Sequence, residues 1–544
     1  MAFRDEQIGV RAADGRIAAG IVALAAVALV TGGAFVGLVF QASSDWSGAF
    51  AAFDGYLLRV ARFTLFQAVL STVLSVGPAI VVARAFSRQR TFPGRVLMLR
   101  LFAVPLALPA IVVALGVLAL YGKAGIFSGA LSMLAGGDWP GIYGLSGILV
   151  AHVFFNLPLA TRLFLQALDT VPDDQWRLAA QLGMGARPAF RFLEWPAMRA
   201  SLPGIAGLVF MLCVTSFTIV LLLGGGPRAT TLEVAIYQAL RFDFDPARAV
   251  ALTAVQIVLT LVTFTAITRF GGDYMASMNL SVARRRYATA GEGERLFNLL
   301  VIAAAFLFVT GPMVAIVVAG LGADLGRLAV EQAVRHAALT SLALAVPAAF
   351  LSVGLSLALV ACRRALEYGR RERRPSWPEW ASGSGASLVL VLPPTVIGAG
   401  WFVILLRLGD VYAAAPMMVI AVNALMAMPF AVRVVRPAYD AASARNERLC
   451  AALGIAGWSR LRLIDGPVLG RPLGTAFAFA MALSLGDLGV IALFGSDSVQ
   501  TLPYLLMQRM GSYRTEDAAG IALLLGALCL GLMAISDRLG KGTA

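Results

Sequence analysis

Apolar stretches of about 20 residues recur along the whole chain, each long enough to cross the hydrocarbon core of a bilayer as a helix. They lie near 17–40, 63–86, 98–121, 143–167, 201–225 and 247–269 in the first half. In the second half they lie near 297–321, 335–361, 386–407, 411–434, 472–495 and 517–535. Of the 544 residues, 59% are hydrophobic and only 14% are charged, where a soluble chain carries about a quarter. The expected fold is all-α and integral to the membrane, with about 12 transmembrane helices. The first stretch is too long for the apolar region of a signal peptide and lacks a convincing cleavage site, so it reads as a retained anchor.

Charge sets the orientation. With the N-terminus inside, 33 Arg and Lys residues fall in cytoplasmic connections and adjoining span ends, against 10 on the opposite side, leaving out Arg248 at the start of a span. Positive residues collect on the cytoplasmic side, so both termini are expected there. The net charge of +14 does not indicate nucleic acid, because the basic residues are dispersed between apolar runs, without a basic domain or an aromatic RNA-binding motif. Arg284-Arg285-Arg286, in the polar connector Gly271 to Arg295, reads as a tether at the inner membrane surface. Ser376 to Gly385, with its Pro, Gly and Ser residues, reads as a cytoplasmic loop.

Little in the chain suggests chemistry of its own. Cys213, Cys362, Cys450 and Cys529 lie far apart, mostly in or beside apolar runs, and form neither a disulfide framework nor a zinc pattern. His152 and His336 lack metal-ligand spacing and read as packed or interfacial. No metal and no cofactor are expected. The chain carries no GxxxxGK[ST] phosphate loop.

The chain is also duplicated. RLAAQLGMGARPAFRFLEWP, from Arg177 to Pro196, matches RLCAALGIAGWSRLRLIDGP, from Arg448 to Pro467, every pair lying 271 residues apart (448 − 177). Arg177, Ala180, Leu182, Gly183 and Pro196 thus pair with Arg448, Ala451, Leu453, Gly454 and Pro467, while Ala179 pairs with Cys450. NLPLATR (Asn156 to Arg162) and AMPFAVR (Ala427 to Arg433) keep the same register, and LPAIVVALG (Leu108 to Gly116) resembles LPPTVIGAG (Leu392 to Gly400). Even numbers of spans per half give the two halves the same orientation, a parallel repeat with a pathway expected between them.

The duplicated loop suits a segment that docks on another protein. Small residues such as Ala179 and Ala180 allow close backbone approach, and Leu182 and Leu453 offer an apolar anchor. Gly183 and Gly454 permit the positive φ that ends one helix before another begins. Pro196 and Pro467 stand at the entry to the next span, where a missing N–H costs least.

These loops resemble the EAA loops of binding-protein-dependent ABC importer permeases. The pattern departs from the family at its first position, where Arg177 and Arg448 replace an acidic residue, so an acidic contact there is not implied. Longer strings, AHVFFNLPLATRLFLQAL, LGGGPRATTLEVAIYQALRFDFDPARA, SLGDLGVIALFG and TLPYLLMQRMGSYRTED among them, resemble the fused permease of the bacterial thiamine and thiamine pyrophosphate importer. The resemblance runs from about Tyr56 to the last span. It implies a type I importer permease fold in the bacterial inner membrane. Its partners would be two ATP-binding subunits docked on the two loops and a periplasmic thiamine-binding protein, and its cargo thiamine or its phosphates. The permease itself would not be an enzyme.

The implied organisation is an anchor helix and first periplasmic loop over 1–60, a first permease domain over 61–270, a linker and seventh helix over 271–334, and a second domain over 335–535. The fused permease of ferric-iron importers is the nearest alternative. A gradient-driven secondary transporter shares the parallel halves but needs no duplicated glycine loop, and carboxylates within the spans are few. The pathway candidates are Asp487, its repeat partner Ser216, and Trp401 with its neighbour Phe402 as cation–π surface. For Asp487 the alternative is a carboxylate satisfied by backbone N–H groups at a helix break, and for the aromatic residues it is packing.

Overall fold

The computed structural model describes residues 2–44, 46–89, 92–270, 291–369, 376–389, 392–409, 411–455, 457–496 and 498–541. The connector carrying Arg284-Arg285-Arg286 therefore lies almost wholly outside the described residues. The principal helices of the first half are α1 (Ala2–Ser44), α2 (Gly55–Arg88), α3 (Ala110–Tyr121), α4 (Leu145–Asp169), α5 (Asp173–Gln181), α6 (Trp195–Val214), α7 (Leu232–Arg241) and α8 (Pro246–Phe270). Those of the second half are α9 (Glu292–Leu321), α10 (Gln332–Gly369), α11 (Trp377–Val389), α12 (Pro394–Leu408), α13 (Ala415–Leu453), α14 (Gly466–Gly486), α15 (Leu502–Gly511) and α16 (Thr515–Lys541). Among the described residues ten helices are long and apolar enough to cross a membrane, eleven if the bent pair ending in α3 counts as one span.

Four expected spans are broken, and proline explains two of the breaks. The span near 98–121 bends by 113° between Arg95–Ala107 and α3. Leu108, ahead of Pro109, has ψ 137°, the extended backbone that a following proline imposes. The span near 386–407 is divided between α11 and α12, with Pro393 again extended at ψ 147°. The spans near 201–225 and 472–495 are likewise interrupted, after Val214 and Gly486, before the short helices Thr218–Leu223 and Gly489–Phe494.

The loop expected over Ser376–Gly385 is instead mostly helix, since α11 starts at Trp377. Its small residues are packing surface. Ser382 Oγ donates to the Pro378 carbonyl at 2.7 Å and to Cys362 Sγ at 3.4 Å, and a Cβ on Gly385 would press on Leu24.

The helices form two compact units. One comprises Phe53–Ala235 and Ala254–Asp324. Its core is built where small residues of α2, Ala68, Ala79 and Ala83, let α4 and α6 bring in Phe164, Leu168, Met198 and Ile205. Helix α9, the first of the second half, packs here against α2 and α3. The other unit comprises Met1–Ala52, Ile236–Thr253 and Leu325–Ala544. Here α10, α13 and α14 pack together, and α1 lies against α10 and α12.

The α1–α12 contact is too close for side chains. A Cβ on Gly400 would overlap the Ala34 backbone, and one on Gly37 would overlap the Gly400 carbonyl. Gly400→Ala is expected to destabilise the protein by roughly 1–3 kcal/mol through overpacking. Gly32, on the same helix with open space around it, serves as the control. A thermal midpoint that falls for Gly400→Ala and not for Gly32→Ala checks the expectation, and equal midpoints would refute it.

Candidate partner-docking surface

The first loop begins where Pro172 ends the preceding span and Asp173 and Asp174 favour the positive N-terminus of α5. The helix closes with Gly183 N–H donating to the Ala180 carbonyl at 3.1 Å and Met184 N–H to the Ala179 carbonyl at 2.9 Å. Gly183 has φ 62°, the left-handed cap that glycine adopts without strain. In the second copy Ser443 stands where Pro172 stood, so α13 runs unbroken from the span to Leu453. The cap is nevertheless the same, with Gly454 at φ 62° and Ile455 N–H donating to the Cys450 carbonyl at 2.9 Å.

A short helix follows each cap, Ala186–Ala189 and Gly457–Arg460, and then one wide π-type turn, Phe190–Glu194 and Leu461–Asp465. The prolines account for these turns. A proline ring collides with the carbonyl four residues back, here Phe192 and Leu463, and a wider turn makes room.

The two loops are held by different chemistry at equivalent positions. In the first, Trp176 is buried against Val171 and Ala189. The counterparts of Trp176 and Ala189 are Glu447 and Arg460, a buried ion pair at 3.0 Å. Arg460 also donates to Asp465 at 3.2 Å, and Arg16 of α1 reaches Glu447 at 3.1 Å. Burial opposes the charge of Arg460, but hydrogen bonds to Glu447 and the charges of Glu447 and Asp465 outweigh it and hold the guanidinium above its ordinary pKa. The counterpart of Asp465 is Glu194, fully buried and clamped by Arg84 at 3.0 Å and Arg88 at 2.7 Å. Both arginines also reach Glu294 of α9 and the Ala186 carbonyl.

With the loops anchored from beneath, an apolar face remains outside. Ala179 and Cys450 point inward and are buried. Leu178, Leu182 and Phe192 in the first loop, and Leu449, Leu453 and Leu463 in the second, are all between 52% and 64% exposed. Arg177, Ala180 and Pro196 are exposed beside them, as are Arg448 and Pro467, while the Ala451 side chain lies outside the description. Each loop thus presents three large apolar side chains, a clustering beyond scattered single exposure. The inward role of Glu194 and Asp465 and the outward one of Phe192 and Leu463 were missed in the sequence. A carboxylate two residues before each repeated proline was the available signal for the acidic pair.

The pathway candidates have local partners. Asp487 sits at the break after α14 and accepts from the backbone N–H groups of Gly489 at 3.2 Å and Val490 at 3.3 Å. Ser216 is half-buried at the corresponding break after α6. Trp401 donates its indole N–H to the Val30 carbonyl at 2.8 Å, with Gly33 of α1 against its ring. Phe402 is buried edge-on to Phe494. A deeper carboxylate went unread: Glu233 on α7 is fully buried and accepts from Gln256 Nε2 at 2.9 Å. His152 is buried too, with Nδ1 at 2.9 Å from Ser71 Oγ.

Comparison with known proteins matches residues 75–273 to the family described as the binding-protein-dependent transport system inner membrane component. The chain is 58% identical over 520 residues to the thiamine transport system permease protein ThiP of Brucella abortus (strain 2308), covering 96% of this chain and 94% of that one. It is 42% identical to the protein of that name from Salmonella typhimurium, covering 96% of each. It is 37% identical to the one from Haemophilus influenzae, covering 94% of each.

Proposed function

The chain belongs to the thiamine transport permease family of binding-protein-dependent inner membrane components, and from that premise we propose how it works. It is a multi-pass inner-membrane transport subunit rather than an enzyme. The proposal adds that it carries thiamine, thiamine pyrophosphate or both from periplasm to cytoplasm, driven by ATP hydrolysed on two separate subunits. Cargo arrives on a periplasmic thiamine-binding protein. Both termini and both repeat loops lie in the cytoplasm, as the Arg and Lys asymmetry favours. The permease domains are 61–270 and 335–535, with 1–60 as anchor and 271–334 as linker and seventh helix.

The observation that carries this reading is the duplicated surface: two glycine-capped loops in register, each presenting three exposed apolar side chains over a buried ionic or aromatic base. A rigid base lets a push on the exposed face move the spans it joins, with Arg84, Arg88 and Glu194 tying the first loop to α2. One ATP-binding subunit docks on each loop. Asp487 and Ser216, at equivalent breaks, are the candidate path residues; Trp401 is engaged with α1.

The test is uptake into vesicles holding the permease and two ATPase copies, supplied with the thiamine-binding protein. Labelled thiamine is expected to accumulate only with ATP inside and binding protein outside. Accumulation driven by a proton or sodium gradient would refute the mechanism. Loss of ferric-iron uptake with normal thiamine uptake in a deletion strain would refute the substrate.

A further inference from the structure

Among the described residues the backbone enters the left-handed region at ten glycines and at two other residues, Phe244 (φ 52°) and Tyr513 (φ 59°). Both occupy the same place in the repeat. Phe244 lies in the turn between α7 and α8, and Tyr513 in the turn between α15 and α16, each two residues before the following helix. Left-handed backbone brings a Cβ against the following carbonyl oxygen. At the caps of the two docking loops this chain uses glycine for that conformation. At these two turns it uses a ring, and the rings are 78% and 91% exposed. Strain retained for side chains that do so little for their own fold points outward.

The turns beneath them are fixed. Asp243 N–H donates to the Gln238 carbonyl at 3.0 Å and Asp245 N–H to the Ala239 carbonyl at 2.8 Å. Arg241, at the end of α7, donates to Tyr412 Oη at 2.6 Å and the Gly495 carbonyl at 2.9 Å. In the second turn Arg514 N–H donates to the Arg509 carbonyl at 2.9 Å. Arg509 itself is paired with Glu331 and Asp517, and Arg327 with Asp517.

We propose that Phe244 and Tyr513 are twin anchors for the soluble binding protein that delivers cargo, an inference resting on the transport reading and on the orientation that puts these turns outside. Exposed aromatic side chains on a fixed backbone turn are what dominates a small, transient interface, because they bury large area and have only two side-chain torsions to lose on binding. Two matched anchors on one molecule suit a single partner that touches both. Charges of both signs flank each ring, Asp243 and Asp245 with Arg248 paired to Asp245 at the first and Arg514 and Glu516 at the second. Such surroundings fit a protein partner whose apolar pocket has a polar, charged rim.

Phe244→Gly and Tyr513→Gly separate anchor from fold, since glycine adopts these φ values freely. With the permease–ATPase complex in nanodiscs and the thiamine-binding protein as probe, each variant is expected to lose about tenfold in affinity. Its thermal midpoint should hold or rise. Unchanged affinity in both variants, with the parental complex binding normally, overturns this inference and leaves the transport reading intact. A lower midpoint with unchanged affinity also overturns it, showing that the rings stabilise the permease itself. A parental complex that binds no binding protein would overturn both readings together.

Discussion

Gly183→Val and Gly454→Val are each expected to leave the protein inserted in the membrane and to cut ATPase association and transport-linked hydrolysis by about tenfold. Both glycines stand at φ 62°, where a β-branched residue costs of order 1–2 kcal/mol, and about 1.4 kcal/mol is a factor of ten in an equilibrium. A Cβ on Gly183 would meet no neighbour among the described residues, so the cost there is backbone strain plus whatever a docked partner adds. Gly183→Asn, which tolerates left-handed backbone far better, should recover much of the loss if strain dominates. The double valine variant should be at least as impaired as either single one. Parental uptake and ATPase pull-down by both valine variants at matched expression would show that these glycines merely shape a surface connector.

Arg460→Ala is expected to be the most destabilising single change in the second loop, at about 3–5 kcal/mol. Arg460 is the cation shared by Glu447 and Asp465, and all three side chains are less than a tenth exposed. Removing it leaves Asp465 without its hydrogen-bonded cation and Glu447 with Arg16. Lysine at 460 keeps the charge but cannot bridge both carboxylates with one planar fork, and should fall between. Thermal unfolding of the three proteins in detergent, paired with pull-down by the ATPase subunit, tests the order. A midpoint for Arg460→Ala equal to the parental one would mean that the loop does not depend on the pair.

The spans were legible because lipid demands apolar residues throughout a helix, and the same demand hides where a helix breaks. Pro109 and Pro393 sit inside runs whose hydropathy gives no sign of a 113° bend or of a division into α11 and α12. Small residues mislead in the opposite direction. Gly383, Gly385 and Ser382 read as loop by composition, yet they are the contact surface of α11. The loop caps were legible, since glycine at equal register has few reasons to persist except backbone conformation. Their supports were not, because Trp176 and Ala189 share no chemistry with Glu447 and Arg460. Repeat reasoning looks for equal residues, whereas packing conserves only the distance those residues span. The left-handed aromatic turns at Phe244 and Tyr513 contradict local preference outright, so no propensity argument reaches them.

The membership of α1 and α9 in the two units has a consequence for how the molecule is made. Helix α1 rests on α10 and α12, and 288 residues (332 − 44) separate its end from the start of α10. At roughly 5–20 residues per second, ribosomes need about 14–58 s to synthesise that stretch. Throughout that interval the residues that cover Gly33 and Gly37, Trp401 and Gly400 of α12, are not yet made, whereas the sequence of the unit around α2, α4 and α6 is completed by α9 before α10 begins. Insertion and tertiary assembly are thus separated in time, and a ribosome stalled anywhere before α10 leaves α1 waiting for neighbours not yet translated.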